Sequence, residues 1–320
     1  PNIMKQVTTI LAILVGFTMS AQLSSVTEGG NTGQRLTVST AANHGDIGDD
    51  AVDLSYSNSA STTRGATGIA STAMGYKTTA SGSYSTAIGD NSFATGTAST
   101  AIGSYTTASG YRSTAMGDGT SATDYASLTI GRYNSVNKTV TPGGNATSFD
   151  TDNAAFVIGN GTVWNATSDA FVVYFNGNAT LSGDLTINSD ARLKDNIQPL
   201  GSTLNKLHQI EGKTYSFKKD EEHTPKIGVL AQEVQAVFPE LVTEGGDGIL
   251  SVNYQGLVPV LINAINEQDA KMSEQDAKIA ALEAQNEQLA IASKKIAALE
   301  EMVRFLAVQQ SQTTSSVAAN

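Results

Sequence analysis

The sequence predicts a mainly β fibrous protein that completes its hydrophobic core as a homotrimer. With 30 glycines, 15% charged residues and 6% aromatic residues among 320, one chain has too little bulky apolar surface for a large globular core. A 14-residue repeat occupies the middle of the chain, and a heptad pattern occupies its end. The predicted order is a parallel β-roll with 14-residue coils, a β neck, an α+β domain and a C-terminal coiled coil.

The N-terminus predicts an export signal in residues 1–21. Met4 and Lys5 precede an apolar run from Ile10 to Met19, and cleavage is expected after Ala21. A buried apolar helix is the alternative. No second apolar run approaches membrane-spanning length, and the absence of cysteine excludes a disulfide framework. We therefore expect a bacterial protein that is secreted or held at the cell surface, without a membrane-spanning segment once the signal is removed.

Residues 22–63 lack a clear period and predict an irregular segment. Its acidic residues include Asp46, Asp49, Asp50 and Asp53. Their spacing differs from that of a calcium-binding loop, so a solvated loop is favoured over a cation site. The histidines are His44, His208 and His223. They are far apart and lack partners at ligand spacing, so neither a metal nor another cofactor is predicted.

Residues 64–131 carry the repeat, which predicts stacked strands. The units align at Ser71–Gly75, Ser85–Gly89, Ser99–Gly103, Ser113–Gly117 and Ser127–Gly131. Because neighbouring side chains of an extended segment point to opposite faces, the Ala column and the Met/Ile column must diverge. We expect Ala and Ser to fill a narrow interior, glycine to supply the turns, and the larger side chains to stack where three rolls meet. These are Met74, Ile88, Ile102, Met116 and Ile130.

A disordered Ser/Thr/Gly spacer is the alternative for this region. A register held over five units argues against it, because compositional bias alone rarely keeps a period. The units are similar to the Ser-x-Ala-x-Gly head repeats of trimeric autotransporter adhesins, which implies a trimeric head.

A linker is predicted at residues 132–152 and a β neck at residues 153–188. In the neck, two apolar runs are followed by Asn160-Gly161 and Asn176-Gly177, pairs that are typical of hairpin turns. Together with residues 181–187, these strands resemble the β-rich neck of tail-fibre-like proteins. The resemblance implies that the neck is trimeric as well.

The run Ser189-Asp190-Ala191-Arg192-Leu193-Lys194 begins the most informative part of the chain. It is followed by Ile227–Val234, by Phe238–Val242 and by Leu250–Leu257. In order and spacing, these stretches resemble the intramolecular chaperone domain first known from phage endosialidase tailspikes. The resemblance implies a domain at residues 189–264 that trimerises the fibre and then cuts itself off.

The same resemblance implies that Ser189 is the nucleophile and Lys194 its base, with the scissile bond between Asn188 and Ser189. Lys194 must be neutral to accept a proton, whereas a free lysine has a pKa of about 10.4. Burial at a subunit interface, helped by the positive charge of Arg192, is expected to lower that pKa. Asp190 either caps the following turn or orients Lys194, and capping is the commoner role.

The rest of this domain is predicted to be structural. Residues 226–230 predict a strand that leads into a helix at 231–238, ended by Pro239. Gln232 and Glu233 either line the pocket of the dyad or make solvated or intersubunit hydrogen bonds, and the second interpretation is favoured.

Residues 265–310 predict a trimeric coiled coil, and residues 311–320 a disordered tail. Apolar and amide side chains recur every seven residues. The block Lys278–Glu283 returns at Lys295–Glu300 with a shifted frame, which predicts local overwinding. The predicted core is Ile265, Met272, Ile279, Leu282 and Leu289. A lone surface helix is the alternative.

The function predicted from these features is that of a secreted, adhesin-like trimeric fibre that processes itself once and has no external substrate. Its partner is expected to be a cell-surface, matrix or glycan receptor. A net charge of -11 argues against nucleic acid. A phage-type tail fibre or spike is one alternative, and the export signal argues against it. A polysaccharide-depolymerising spike is another, and it would need a large catalytic domain ahead of the chaperone.

Overall fold

The 14-residue repeat folds into stacked coils, each with one long and one short strand. A computed structural model describes residues 23–218, 220 and 223–317, with the backbone alone for 310–317. The predicted export signal lies outside the described residues. The chain divides into two compact units, and the division falls between Asn188 and Ser189.

The first unit is built of strands. In chain order they are β1 (Leu23–Glu28), β2 (Asn31–Leu36), β3 (Val52–Tyr56), β4 (Gly65–Ala66), β5 (Thr72–Tyr76), β6 (Thr79–Ala80), β7 (Thr86–Asp90), β8 (Phe93–Ala94), β9 (Thr100–Ser104), β10 (Thr107–Ala108), β11 (Thr114–Asp118), β12 (Ser121–Ala122), β13 (Leu128–Arg132), β14 (Ala154–Asn160), β15 (Asp169–Tyr174) and β16 (Ala179–Leu181).

Within the described residues, two sheets enclose the roll. One has the order β1-β2-β3-β5-β7-β9-β11-β13-β14-β15-β16, and the other has the order β12-β10-β8-β6-β4. From β3 to β14 the long strands are parallel, and together with the short strands they form a β-solenoid of about seven turns. Identical repeat positions pair, as Ala87 does with Ala101. The predicted parallel roll is confirmed.

The interior of the roll is a double column of alanine. The fully buried alanines of this double column are Ala66, Ala73, Ala80, Ala87, Ala94, Ala101, Ala108, Ala115 and Ala122, and Ala51 is buried in the same cluster. The Met/Ile column lies on the outer face of the long strands, where Met74 and Met116 are each 40% exposed in the single chain. The divergence of the two columns is therefore as predicted, and the meeting of three rolls along the outer column stays a prediction.

The two glycines of each coil play different parts. One lies at a turn, as predicted, since the carbonyl oxygen of Gly68 accepts a hydrogen bond from Ser71 N–H at 3.2 Å, although most left-handed corners are occupied by other residues, among them Lys77, Tyr84 and Ala98. The other lies in the long strand: Gly103 belongs to β9, and a Cβ there would overlap the carbonyl oxygen of Gly117 in the next coil. Glycine is required because adjacent coils approach closely at this column.

Within the segment predicted to be irregular, residues 23–63 include regular strands. They form the β1–β2 hairpin and β3, which begins the roll. Asp53 is fully buried and accepts a hydrogen bond from Arg35 Nε at 3.2 Å, and Arg35 also contacts Glu28. The interpretation of Asp53 as part of a solvated loop was wrong, because its carboxylate has an internal cationic partner.

The predicted linker is a packed cap on the last coil. Asn134 Oδ1 accepts from Ser121 N–H and its Nδ2 donates to Ser121 C=O, so the side chain replaces a missing strand beside β12. Asn137 Oδ1 accepts from the N–H groups of Thr123 and Asp124 in the same way. The side-chain amides of Asn134 and Asn137 thus make the hydrogen bonds that a further strand would make with the backbone groups at this sheet edge. These hydrogen bonds hold residues 132–152 against the last coil.

The neck continues the large sheet. β14 pairs with β13 in parallel, and Ile158 lies opposite Ile130, twice the repeat length further along the chain. β15 and β16 then pair antiparallel, with Gly177 in the turn between them. In the single chain, roll and neck therefore share one sheet.

The second unit is α+β. Its elements are α1 (Leu204–Leu207), β17 (Lys213–Tyr215), β18 (Lys226–Gly228), α2 (Ala231–Val237), β19 (Val242–Glu244), β20 (Leu250–Val252) and α3 (Leu257–Val317), with 3₁₀ turns at Ala191–Leu193, Pro239–Leu241 and Tyr254–Gly256. Val234, Phe238 and Val260 form its buried centre. The strand and the helix that ends before Pro239 match the prediction.

Helix α3 covers the predicted coiled coil and extends to Val317, so the chain is helical for seven residues beyond the predicted start of the tail at 311. The predicted core residues are exposed in the single chain, with Ile265 56% and Leu289 60% exposed. Such a stripe suits a partner helix, and the coiled coil stays a prediction. None of the described helices has the length and apolarity needed to cross a bilayer.

Candidate self-cleavage site

A short turn at the start of the second unit shapes the site. Asp190 has an extended backbone and caps the 3₁₀ turn Ala191–Leu193, since its carboxylate accepts a hydrogen bond from Arg192 N–H at 2.9 Å. The N–H of Lys194 donates to the carbonyl oxygen of Ala191 at 3.1 Å. The turn brings Lys194 back towards the residue that precedes Asp190.

The two residues predicted as nucleophile and base are in contact. Lys194 Nζ donates to Ser189 Oγ at 2.6 Å, within the range for proton transfer between a general base and a hydroxyl. Both side chains are exposed in the single chain, as is Asn188. The turn is therefore sufficient to bring the two groups together, and solvent reaches them in this state.

Asp190 and Arg192 form a pair of their own. Arg192 Nη2 lies 2.6 Å from Asp190 Oδ2, and hydrogen bonds from the side chain and backbone of Arg192 hold the pKa of Asp190 below its usual value. The carboxylate in turn raises the pKa of Arg192. Of the two roles expected for Asp190, capping is the one observed. Arg192 is paired with Asp190, and the effect of its charge on Lys194 stays a prediction.

Gln232 and Glu233 lie at the start of α2. Glu233 accepts a hydrogen bond from Glu211 N–H at 3.0 Å and forms an ion pair with Lys213 at 3.2 Å. The backbone hydrogen bond is the main reason that its pKa is lowered. Glu233 therefore ties α2 to the segment before β17 within one chain, whereas Gln232 is exposed.

Sequence reasoning missed a second polar cluster, in which Glu267 anchors α3. Its carboxylate accepts hydrogen bonds from Thr203 N–H at 2.6 Å and from Ser202 Oγ at 2.9 Å. Asn263 Nδ2 donates to Gly201 C=O and to Glu267. These contacts lower the pKa of Glu267, the hydrogen bond from Thr203 most of all. In the sequence Glu267 looks like an ordinary helix-surface residue, because Ser202 and Thr203 lie more than sixty positions away.

We expect Glu267→Gln to lower the thermal midpoint of the second unit by on the order of a few degrees. Because the pKa of Glu267 is lowered on folding, its stabilisation is complete above the ordinary value of 4.5 and is lost as the pH falls through the lower folded value. Thermal scans from pH 7 to pH 3 should converge for wild type and variant at the acid end. Glu283→Gln, an exposed change on the same helix, is the control. If the difference in thermal midpoint between wild type and Glu267→Gln stayed the same from pH 7 to pH 3, the stabilising role of the Glu267 carboxylate would be contradicted.

Across residues 23–218, 220 and 223–317, no group of three or more His, Asp or Glu side chains is arranged to hold an ion. The chemistry that the site can perform is that of a hydroxyl and an amine beside a peptide bond.

The comparison with known families agrees with the position of this site. Residues 189–243 match the family described as the chaperone of endosialidase, a family of the self-cleaving serine-peptidase type. This part of the chain is similar to endosialidase-type chaperone domains. It begins at Ser189, the residue at which the two compact units divide. Residues 66–92 and 94–120 match the YadA head domain repeat, so head repeats precede the chaperone domain.

Individual relatives are fibre proteins of phages. The chain is 39% identical over 97 residues to the long tail fiber protein Gp37 of Escherichia phage AR1, covering 28% of this chain and 9% of the relative. It is 30% identical over 158 residues to Gp37 of Enterobacteria phage K3, covering 45% and 13%. For Gp37 of Salmonella phage S16 the identity is 29% over 147 residues, covering 43% and 18%.

The chain thus spans less than a fifth of the length of each of these relatives. What the matches establish is a tail-fibre-like protein with head repeats and an endosialidase-type chaperone domain.

Proposed function

We propose that this chain forms a homotrimeric fibre whose chaperone domain guides assembly and then cuts itself off between Asn188 and Ser189. The observation that carries the proposal is the hydrogen bond of 2.6 Å from Lys194 Nζ to Ser189 Oγ. It lies at the first residues of the chaperone domain, where the chain passes from one compact unit to the other.

In the proposed reaction, Ser189 Oγ attacks the carbonyl carbon of Asn188 while its proton passes to Lys194 Nζ. The C–N bond between Asn188 and Ser189 breaks, and the proton on Lys194 moves to the departing Ser189 nitrogen. Asn188 is then joined to Ser189 through an ester. Water hydrolyses the ester, leaving a carboxylate on Asn188 and restoring the Ser189 hydroxyl.

The time at which cleavage occurs would depend on whether Ser189 and Lys194 are exposed to solvent. Lys194 must lose the positive charge of its ammonium to act as a base. Covering the dyad by a second chain would disfavour that charge, so cleavage would follow assembly. The enzyme would act once, on its own chain.

The proposed trimer has an apolar stripe available in each unit. On the roll this is the Met/Ile column, and on α3 it is the stripe that includes Ile265 and Leu289. Burial of both stripes against other copies would remove apolar surface from water. A chaperone at the C-terminal end also aligns three rolls whose strand pairing is non-local and therefore slow to form.

Location and partner are part of the proposal. The head would adhere to a receptor, which would be a cell-surface component, a component of the matrix or a glycan. The phage relatives favour a second candidate, a tail fibre assembled on a virus particle. Antibodies against the head distinguish the two, because they would label the surface or medium of producing cells in the first case and particles in the second.

The proposal is tested on the purified wild-type chain by light scattering and intact mass. We expect a trimer, with one fragment that ends at Asn188 and another that begins at Ser189. A full-length monomer that stays uncut would contradict both parts of the proposal. An uncut trimer would contradict self-cleavage alone.

A further inference from the structure

Arg192 lies outside the dyad, yet it is bound to the residue that shapes the turn between Ser189 and Lys194. Its Nε lies 3.1 Å from each carboxylate oxygen of Asp190, and its Nη2 lies 2.6 Å from Oδ2. Its backbone N–H donates to Oδ1 of the same carboxylate. One residue therefore holds both oxygens of Asp190 from two sides.

This contact restrains the dyad. Ser189 directly precedes Asp190, and Lys194 directly follows the 3₁₀ turn that Asp190 caps. Both dyad side chains are exposed, so packing does not hold them. A lysine side chain without restraint has many rotamers, and small changes in the turn would carry its amine away from the hydroxyl. The restraint on the turn is the feature that keeps the 2.6 Å contact populated.

We infer that Arg192 is a positioning residue for self-cleavage, which holds the Asp190 carboxylate on the turn and so keeps Lys194 Nζ beside Ser189 Oγ. The inference rests on the proposed function. It gives Arg192 a geometric role, mediated by Asp190, in place of a direct effect of its charge on Lys194. The lowered pKa of Asp190 keeps the carboxylate ionised and able to accept these hydrogen bonds.

The two roles differ in what a lysine at position 192 would do. Lysine keeps the positive charge but lacks the planar fork that binds both oxygens of a carboxylate. A geometric role therefore predicts that Arg192→Lys cleaves more slowly than wild type and faster than Arg192→Gln. A role through charge alone predicts that Arg192→Lys cleaves as wild type does.

The test follows the full chain after synthesis by cell-free translation and measures the rate at which the fragment beginning at Ser189 appears. We expect Arg192→Gln to slow this rate about threefold to tenfold, as suits an exposed pair and a cap. Because Arg192 acts through Asp190, the double variant Asp190→Asn/Arg192→Gln should be no slower than Asp190→Asn alone. Arg132→Gln, which breaks a comparable exposed pair with Asp118, is the control and should cleave at the wild-type rate.

Rates are compared on the trimeric fraction, so that a defect in assembly is not counted as a defect in cleavage. If Arg192→Gln yields too little trimer, Arg192→Lys and Asp190→Asn carry the comparison. A wild-type rate in Arg192→Lys, or independent effects in the double variant, would overturn the inference and leave self-cleavage standing. A wild-type trimer that never cuts itself would instead remove the proposed function, and the inference with it.

Discussion

Ser189→Ala should leave the chain uncut under conditions in which the wild type separates into two fragments. The substitution removes the hydroxyl that lies 2.6 Å from Lys194 Nζ and changes little else, because Ser189 is exposed. Loss of a nucleophile typically slows a covalent mechanism by more than about a thousandfold. Intact mass of the purified chain, read after the wild type has reached completion, measures the effect.

Lys194→Arg provides the matching test of the base. Arginine keeps the positive charge on a somewhat longer side chain, but it stays protonated at any pH that a protein tolerates. We expect this variant to assemble and remain uncut. Ser251→Ala, an exposed serine of β20 in the same domain, should be cut as the wild type is. Efficient cleavage of either dyad variant would show that another group supplies the chemistry.

The second large effect is expected at a repeat glycine. Gly103 has a φ of +134°, and an added Cβ would overlap the carbonyl oxygen of Gly117. The nearest atoms to that Cβ are backbone atoms of Gly117. No flexible side chain can move aside, so the two coils would have to separate. We expect Gly103→Ala to destabilise the roll by about 3 kcal/mol or more, from overpacking together with an unfavourable backbone conformation.

Gly177→Ala is the matched control for that experiment. Gly177 also has a positive φ, +88°, but nothing lies within 4 Å of an added Cβ. Its substitution should cost only the backbone term of about 1–2 kcal/mol. Chemical unfolding of the full chain, followed by circular dichroism, compares the two. Equal effects would mean that conformation, and not the close approach of coils, explains the glycine column.

Much of the roll could be predicted because its rule is local. Because side chains alternate along a strand, Ala101 faces inward and Ile102 faces outward. The equivalent residues of every other coil have the same orientation, because the sequence repeats. The dyad could be predicted for another reason: Ser189 and Lys194 are five positions apart, and their motif resembles that of a known domain. The cap at residues 132–152 and the Glu267 cluster follow neither rule. Their partners are distant in sequence, and the polar residues involved are ordinary components of loops and helix surfaces.

By itself, the sequence determined the stacked coils, the two diverging columns, the long C-terminal helix and the nearness of Ser189 to Lys194, because each depends on a period or on neighbours along the chain. Only the tertiary structure decided that the repeat glycines serve close contact between coils, that Asp53 is buried against Arg35, and that Arg192 holds Asp190. The physical reason is that burial and hydrogen-bond partners arise when separate segments meet. A residue type alone does not specify which segment it will face.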